Sequence, residues 1–337
     1  MPVHTFIENK EWYDNSRLDL ILACKRKAFL AQLYNGGLEA GVGYGALFGT
    51  CMHAFRATYY SWWGKESLEQ RQVRATRSFL EKHEELFTGP MLDTLDNKHT
   101  KEAGVDMIDH YCTSYAAEDS LLQPVEVELA GAVEIKHQPG DPYIFDPFYY
   151  AFRMDGIHKR LSYGDLWVAE MKNTGGGVKR ELTKLRLSRQ PTGYVYCARQ
   201  FPGPDVTGAM PDVVGVLVKT RECQRDFYSK PKHVTDSWRL QTINIVEDWR
   251  RMQLNASLTQ AAGGSFETIL NTFYQNTAEC TSYGLCAFYD ICRDGFSPAT
   301  LAAFRKASWN PLEDQTHLER KEIQTETGLM EAHMVTP

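Results

Sequence analysis

The stretch Val168–Lys172, reading VAEMK, sets a carboxylate and an ammonium two residues apart behind the apolar run LWVA. Residues i and i+2 of a strand point to the same face, so Glu170 and Lys172 project into one site. A second carboxylate, Asp155, lies upstream in FRMDGI (152–157). If the strand holding Asp155 and the strand holding Glu170 form a hairpin about Gly164, Asp155 pairs near residues 171–173 and comes diagonally close to Glu170. Two carboxylates at that separation repel unless a counter-ion is supplied. A hard divalent cation with oxygen ligands, Mg²⁺ or Mn²⁺, supplies it. Lys172 then orients a water or stabilises charge on a transferring phosphoryl group. Taken alone, the pattern also fits a surface ion-pair cluster where a strand runs out into solvent.

The elements that must position these residues can be read from periodicity. Residues 16–34 read as one amphipathic helix with Ser16 as its N-cap. A glycine-rich loop follows at 36–49, then a helix over 46–63 carrying His53. Residues 65–88 and 98–117 read as helices of mixed charge. Strands are expected at 125–136, 149–161 and 166–172, the last two joined by the turn SYGD (162–165). Pro191 suits the first turn of a helix running to Arg199. The β-branched run at 211–220 reads as a strand buried on both faces. The final strand–helix–strand crossover implies one parallel pair. After Trp238 the chain turns helical again, and beyond Trp309 it is polar and weakly patterned, a peripheral tail. The fold class is α/β, with helical regions flanking the core at both ends of the sequence.

Composition bounds the reading further. The 337 residues are 43% hydrophobic and 24% charged, as in ordinary globular proteins. No apolar run approaches a membrane span, and the N-terminus lacks a secretory layout, so a cytoplasmic protein is expected. The net charge of -6 argues against a wholly basic nucleic-acid coat. A local basic face exists nonetheless. Lys172, Lys179, Arg180, Lys184, Arg186, Arg189 and Arg199 face one acid, Glu181, over that stretch. This run fits either a solvated helix face or contact with a polyanion. The segment GVGYGA (41–46) matches a dinucleotide-binding pattern, but no strand precedes it, and no phosphate-binding P-loop occurs anywhere.

Eight cysteines in a reducing compartment point to metal or cluster ligation rather than disulfides. Cys51, Cys112, Cys197 and Cys223 are scattered and read as packed thiols. Cys280, Cys286 and Cys292 form a C-x5-C-x5-C run, wider than the close pairs usual for zinc.

Read together, FRMDGI and VAEMK resemble the D…ExK core of the PD-(D/E)XK nuclease superfamily. GTCMH (49–53) resembles the G-x-x-x-H motif of its RecB-type branch, and QPTGY (190–194) resembles its Q-x-x-x-Y motif. The cysteines resemble the iron–sulfur subset, which includes the AddB nuclease domain and the CRISPR-adaptation exonucleases, with one cysteine before the nuclease motifs and three after. The resemblance covers residues 16–296. It implies a restriction-endonuclease-like αβββαβ core closed by a [4Fe-4S] cluster on Cys24, Cys280, Cys286 and Cys292. It also implies that His53 ligates the metal with Asp155 and Glu170, and that Gln190 and Tyr194 line the active site with Lys172. From the residues alone, His53 also fits a satisfied core histidine. Gln190 and Tyr194 share a helix face by their i,i+4 spacing. Pro191 departs from the pattern by setting Gln190 at the helix start. Gly45 and Gly49, one turn apart, are expected to permit close backbone packing.

Four segments follow from this reading. Residues 1–45 form an N-terminal helix supplying the first cluster cysteine. Residues 46–222 form the nuclease core with a helical insertion at 65–118. Residues 223–300 bind the cluster, and 301–337 form a polar tail. The expected activity is metal-dependent DNA cleavage, exonucleolytic with single-strand preference, in recombination, repair or CRISPR adaptation. Lys179, Arg180, Lys184, Arg186 and Arg189 would track DNA, with recombination or CRISPR-adaptation proteins as partners. The competing reading is an iron–sulfur binding or assembly module with little catalysis.

Overall fold

The computed structural model describes residues 11–89, 92, 94–200, 205–216, 221–282, 284–307 and 309, and residues 6–7, 10, 318–325 and 328–335 as backbone strands. The chain divides into two compact units, each drawn from three stretches. The first takes Met1–Gly41, Val133–Ala151 and Ser237–Thr316; the second takes Val42–Ala132, Phe152–Asp236 and His317–Pro337.

In the first unit the expected helix at 16–34 is two helices, α1 (Asn15–Ala23) and α2 (Lys25–Gln32). Its cap is Asp14 rather than Ser16, the Asp14 carboxylate accepting from the Arg17 N–H at 2.7 Å. The break falls at Cys24, whose backbone is extended at φ -157° and ψ 118°. Asn276 holds the break open. Its side-chain amide donates to the Ala23 carbonyl at 2.9 Å, and its backbone N–H donates to Cys24 Sγ at 3.4 Å. The long helix Lys232–Ala261 begins before Trp238, where the sequence pattern starts. Its Trp249 lies 5.3 Å from the ring of Phe273, which stacks on Phe29 of α2 at 4.5 Å. Its Arg239 makes a bidentate pair with Asp141, both contacts at 2.7 Å.

The second unit packs helices on a mixed sheet. Helix α3 (Tyr44–Ser61) buries Phe48, Met52, Phe55 and Tyr59 along one stripe, which fixes its face toward the core. Helix α4 (Leu68–Leu86) opens with a capping box between Ser67 and Gln70. Helix α5 (Lys101–Asp119) crosses α4 so closely that a Cβ on Gly104 would stand 2.0 Å from the Phe79 ring, and only glycine fits. Gly45 and Gly49 are different: a Cβ there would meet His99 at 3.8 Å and Asn173 at 3.7 Å, ordinary contact distances, so packing does not demand glycine.

The sheet strands are β1 (Leu122–Ile135), β2 (Phe148–Arg160), β3 (Leu166–Thr174), β4 (Val206–Val216) and β5 (Arg221–Arg225), neighbours in that order. The β2–β3 hairpin turns at Gly164, which adopts φ 75°. Gly156 lies opposite Ala169 and Lys159 opposite Leu166. Asp155 therefore comes level with Glu170, not with residues 171–173 as the turn alone suggested. Strand β3 runs parallel to β4, with Glu170 beside Pro211 and Lys172 beside Val213. This is the expected parallel pair, reached through α6 (Val178–Leu187) and α7 (Arg189–Ala198). Strand β4 starts at Val206, five residues before the expected start; residues 217–220 lie outside the described residues. Within the expected polar tail, Leu318–Thr325 and Gly328–Val335 pair as antiparallel strands, and Ala332–Met334 pairs with Leu129–Gly131 of β1. Residues 310–317 lie outside the described residues.

The core of this unit sets Trp167, Met171, Met210 and Val214 of the sheet against Phe48, Phe55 and Tyr111 of the helices. Each such side chain contributes roughly 1.5–3 kcal/mol by leaving water. Beside them Arg225 is wholly enclosed. It donates to Asp119 at 2.8 Å, Asp212 at 2.9 Å, and the hydroxyls of Tyr60 at 2.8 Å and Tyr111 at 3.1 Å.

Candidate active site

Four elements of the second unit converge on one cluster. Helix α3 brings His53, β1 brings Glu128, β2 brings Asp155, and β3 brings Glu170 and Lys172. Asp155 is held at both oxygens. Oδ1 lies 2.9 Å from His53 Nδ1, and Oδ2 accepts the Met171 N–H at 2.6 Å. One ligand atom each from His53, Glu128 and Asp155 lies within 4.8 Å of the others. Lys172 Nζ sits 2.6 Å from Glu170 Oε1. The Glu170 side chain is 2% exposed and that of Lys172 33%, so the pair has a buried end and an open end.

Glu128 is the residue that sequence reasoning missed. Its backbone is left-handed, with φ 52°, in the middle of a strand. That twist breaks the alternation of VEVELAG, in which Glu126 and Glu128 look equivalent. Its Oε2 accepts from Arg153 Nε at 3.1 Å.

The electrostatics follow from this crowding. Burial opposes charging of His53, but the Asp155 carboxylate outweighs it and raises the imidazole pKa. Burial likewise opposes ionisation of Asp155, yet His53, Lys172 and the Met171 N–H hold its pKa below the usual range. Glu170 is pushed up by burial, against the pull of Lys172 and with the push of Asp155. Glu128 is pushed up by burial and by Asp155, with Arg153 opposing. Two carboxylates and an imidazole so placed form a donor set suited to a hard or borderline divalent cation.

Gln190 and Tyr194 sit on α7, and the Gln190 amide donates to the Tyr194 hydroxyl at 2.9 Å. Ser188 caps that helix, so Pro191 falls in its first turn, where no N–H is needed. On α6, Lys179, Arg180, Lys184 and Arg186 are exposed, while Val178, Leu182 and Leu185 face inward; Arg189 is half-buried.

The four cysteines of interest belong to the first unit. All eight cysteines are free of disulfides. The Gln275 amide lies 3.6 Å from Cys280 Sγ, and the Cys286 N–H donates to the Cys280 carbonyl at 2.8 Å. Burial pushes the Cys292 thiol up to about 11; Arg26 opposes this, and the charges of Cys24, Cys286 and Cys280 add to it. Cys51, Cys112 and Cys197 are buried and Cys223 is half-buried, as expected of packed thiols.

A family model described as the PD-(D/E)XK nuclease superfamily matches residues 15–293. Among solved structures, the crystal structure of SSO0001 is 11% identical in sequence, with a TM-score of 0.26; the match covers 70% of this chain and 85% of that one. No curated protein matches. No described helix is long and apolar enough to cross a membrane.

Proposed function

The chain belongs to the PD-(D/E)XK nuclease superfamily, and on that premise we propose that it is a metal-dependent deoxyribonuclease hydrolysing phosphodiester bonds. The observation that carries this reading is the convergence of His53, Glu128 and Asp155 within 4.8 Å, beside the Lys172–Glu170 pair. The donor set of His53, Glu128 and Asp155 fits Mg²⁺ or Mn²⁺, and the resemblance of the motifs would add Glu170 as a further ligand. A divalent cation bound there supplies a Lewis acid for a phosphoryl oxygen and acidifies a neighbouring water.

The remaining work falls to the chain itself. Met171 fixes the Asp155 carboxylate through its N–H, so one oxygen keeps its aim. Lys172, anchored on Glu170, presents an ammonium from the open end of the pair. There it positions a nucleophilic water or stabilises charge on the phosphoryl oxygens. Gln190 and Tyr194 support the site as a hydrogen-bonded pair.

The finer reading is an exonuclease preferring single strands or strand ends, in recombination, repair or CRISPR adaptation. Its support is the resemblance of the motifs and the exposed basic face of α6, where Lys179, Arg180, Lys184 and Arg186 can follow a phosphate backbone. A [4Fe-4S] cluster on Cys24, Cys280, Cys286 and Cys292 belongs to the same reading. Its support is the resemblance of the cysteine pattern and the Asn276 N–H on Cys24, a hydrogen bond of the kind that tunes cluster sulfurs; among the described residues the four thiols do not gather within ligand distance of one another.

Digestion of end-labelled single- and double-stranded DNA with Mg²⁺, Mn²⁺ or EDTA tests the reading, with Glu170→Ala as control. Metal-dependent product loss that vanishes in Glu170→Ala is expected. Binding without any metal-dependent cleavage would favour the binding-module reading instead.

A further inference from the structure

Strand β2 carries a second charged side chain on the face that holds Asp155. Arg153 precedes Asp155 by two residues, so both project to the same side of the sheet. The two ends of the Arg153–Glu128 pair differ. The Arg153 side chain is 55% exposed, and that of Glu128 is 10% exposed. The contact is made by Nε at 3.1 Å, and it is the one bond described between them. A guanidinium that pairs through Nε alone keeps further donors for another acceptor. Glu128 meanwhile lies within 4.8 Å of the donor atoms of His53 and Asp155. Arg153 is therefore the counter-ion of a carboxylate that a divalent cation would also claim.

Charge balance decides what happens when the cation wins. Around the cluster, three carboxylates (Glu128, Asp155 and Glu170) face Arg153, Lys172 and the imidazole of His53. These groups nearly neutralise one another. A divalent cation drawing on Glu128 and Asp155 leaves Arg153 with excess positive charge and an open position. The nearest anion of matching geometry is then a phosphate of a strand entering the site, which a guanidinium grips through two parallel N–H donors.

Resting on the nuclease reading, we propose that Arg153 is a substrate-phosphate contact held in reserve by Glu128, and that metal binding at Glu128 hands Arg153 over to the DNA backbone. Metal and strand would then bind with positive coupling, because each favours the arrangement that the other needs.

The test uses the full chain carrying Lys172→Ala, so that the strand stays intact in Mn²⁺. Binding of a labelled single-stranded oligonucleotide is followed by anisotropy in Mn²⁺ and in EDTA, and Mn²⁺ affinity by calorimetry. In this parent, Mn²⁺ should tighten oligonucleotide binding. Arg153→Gln should remove most of that gain, about tenfold, while Mn²⁺ affinity is kept or improved. Glu128→Gln should do the reverse: Mn²⁺ affinity falls about tenfold, and binding in EDTA becomes tighter than in the parent because Arg153 is already free. Arg153→Lys should restore part of the Mn²⁺-dependent gain, which separates loss of the contact from loss of the fold. An Arg153→Gln protein that binds the oligonucleotide as the parent does in Mn²⁺ would overturn the proposal while leaving the nuclease reading intact. So would a Glu128→Gln protein with unchanged Mn²⁺ affinity. A parent that binds neither Mn²⁺ nor oligonucleotide would overturn both.

Discussion

The Oδ2 atom of Asp155 accepts the backbone N–H of Met171 at 2.6 Å, across the hairpin that joins β2 to β3. A side chain on one strand thus locks the backbone of the next, at the residue between Glu170 and Lys172. The three charged groups of the D…ExK pattern are thereby tied together through one backbone hydrogen bond.

Lys172, at the open end of its pair with Glu170, is a clean target. Lys172→Ala should reduce cleavage by at least about a hundredfold, some 2.7 kcal/mol of barrier. Oligonucleotide affinity should stay within about twofold, since the exposed basic face of α6 is untouched. A rate within about threefold of wild type, under ~0.7 kcal/mol, would remove Lys172 from the chemistry.

Cys24 should behave unlike the packed thiols. Cys24→Ala is expected to lower iron content and visible absorbance and to melt well below wild type, because Cys24 lies at the break between α1 and α2 that Asn276 engages. Cys112→Ala should keep its iron. Iron analysis and thermal melts of anaerobically purified protein decide this. Full iron in Cys24→Ala would end the four-cysteine assignment.

The enclosed Arg225 should dominate the stability of the second unit. Arg225→Met leaves Asp119 and Asp212 buried without their counter-ion. Breaking such a network costs roughly 3–5 kcal/mol. Urea unfolding should show that loss. A change below about 1 kcal/mol would mean that the two carboxylates find other partners or take up protons without penalty.

Acid stability should depend on Asp141. Its hydrogen bonds from Arg239 hold its pKa down at about 2, below the usual carboxylate range. A depressed carboxylate contributes stability that is complete above its unfolded pKa and is lost as pH falls through the folded value. The window is therefore below pH 4. Arg239→Gln should unfold at a higher pH than wild type in an acid titration followed by circular dichroism. Coincident acid transitions would show that the pair contributes nothing there.

Much of the architecture was legible because it rests on short-range signals. The SYGD turn gives the β2–β3 hairpin, and the i,i+2 rule places Lys172 beside Glu170, as the 2.6 Å contact shows. The apolar stripe of α3 gives the helix that carries His53. Other features were hidden for physical reasons. The hairpin register depends on backbone angles around Gly164 that residue types do not state. The break at Cys24 depends on Asn276, far along the chain, so local helix propensity misses it. Glu128 was invisible because its left-handed backbone, at φ 52°, overrides the strand alternation that the residue types suggest.

The three-stretch composition of each unit has a consequence for the order of synthesis. Chains leave the ribosome N-terminus first, and domains generally fold as units. His53, Glu128, Asp155 and Lys172 all precede Asp236, so the two stretches that carry them are complete before most of Ser237–Thr316 has emerged, and only His317–Pro337 joins their unit later. Met1–Gly41 has the opposite fate. Phe29 must wait for Phe273, and Cys24 for Asn276, which are translated more than two hundred residues later. Met1–Gly41 thus waits longest for its partners within its own unit. For that interval α1 and α2 lack the partners that Phe273 and Asn276 supply in the folded unit.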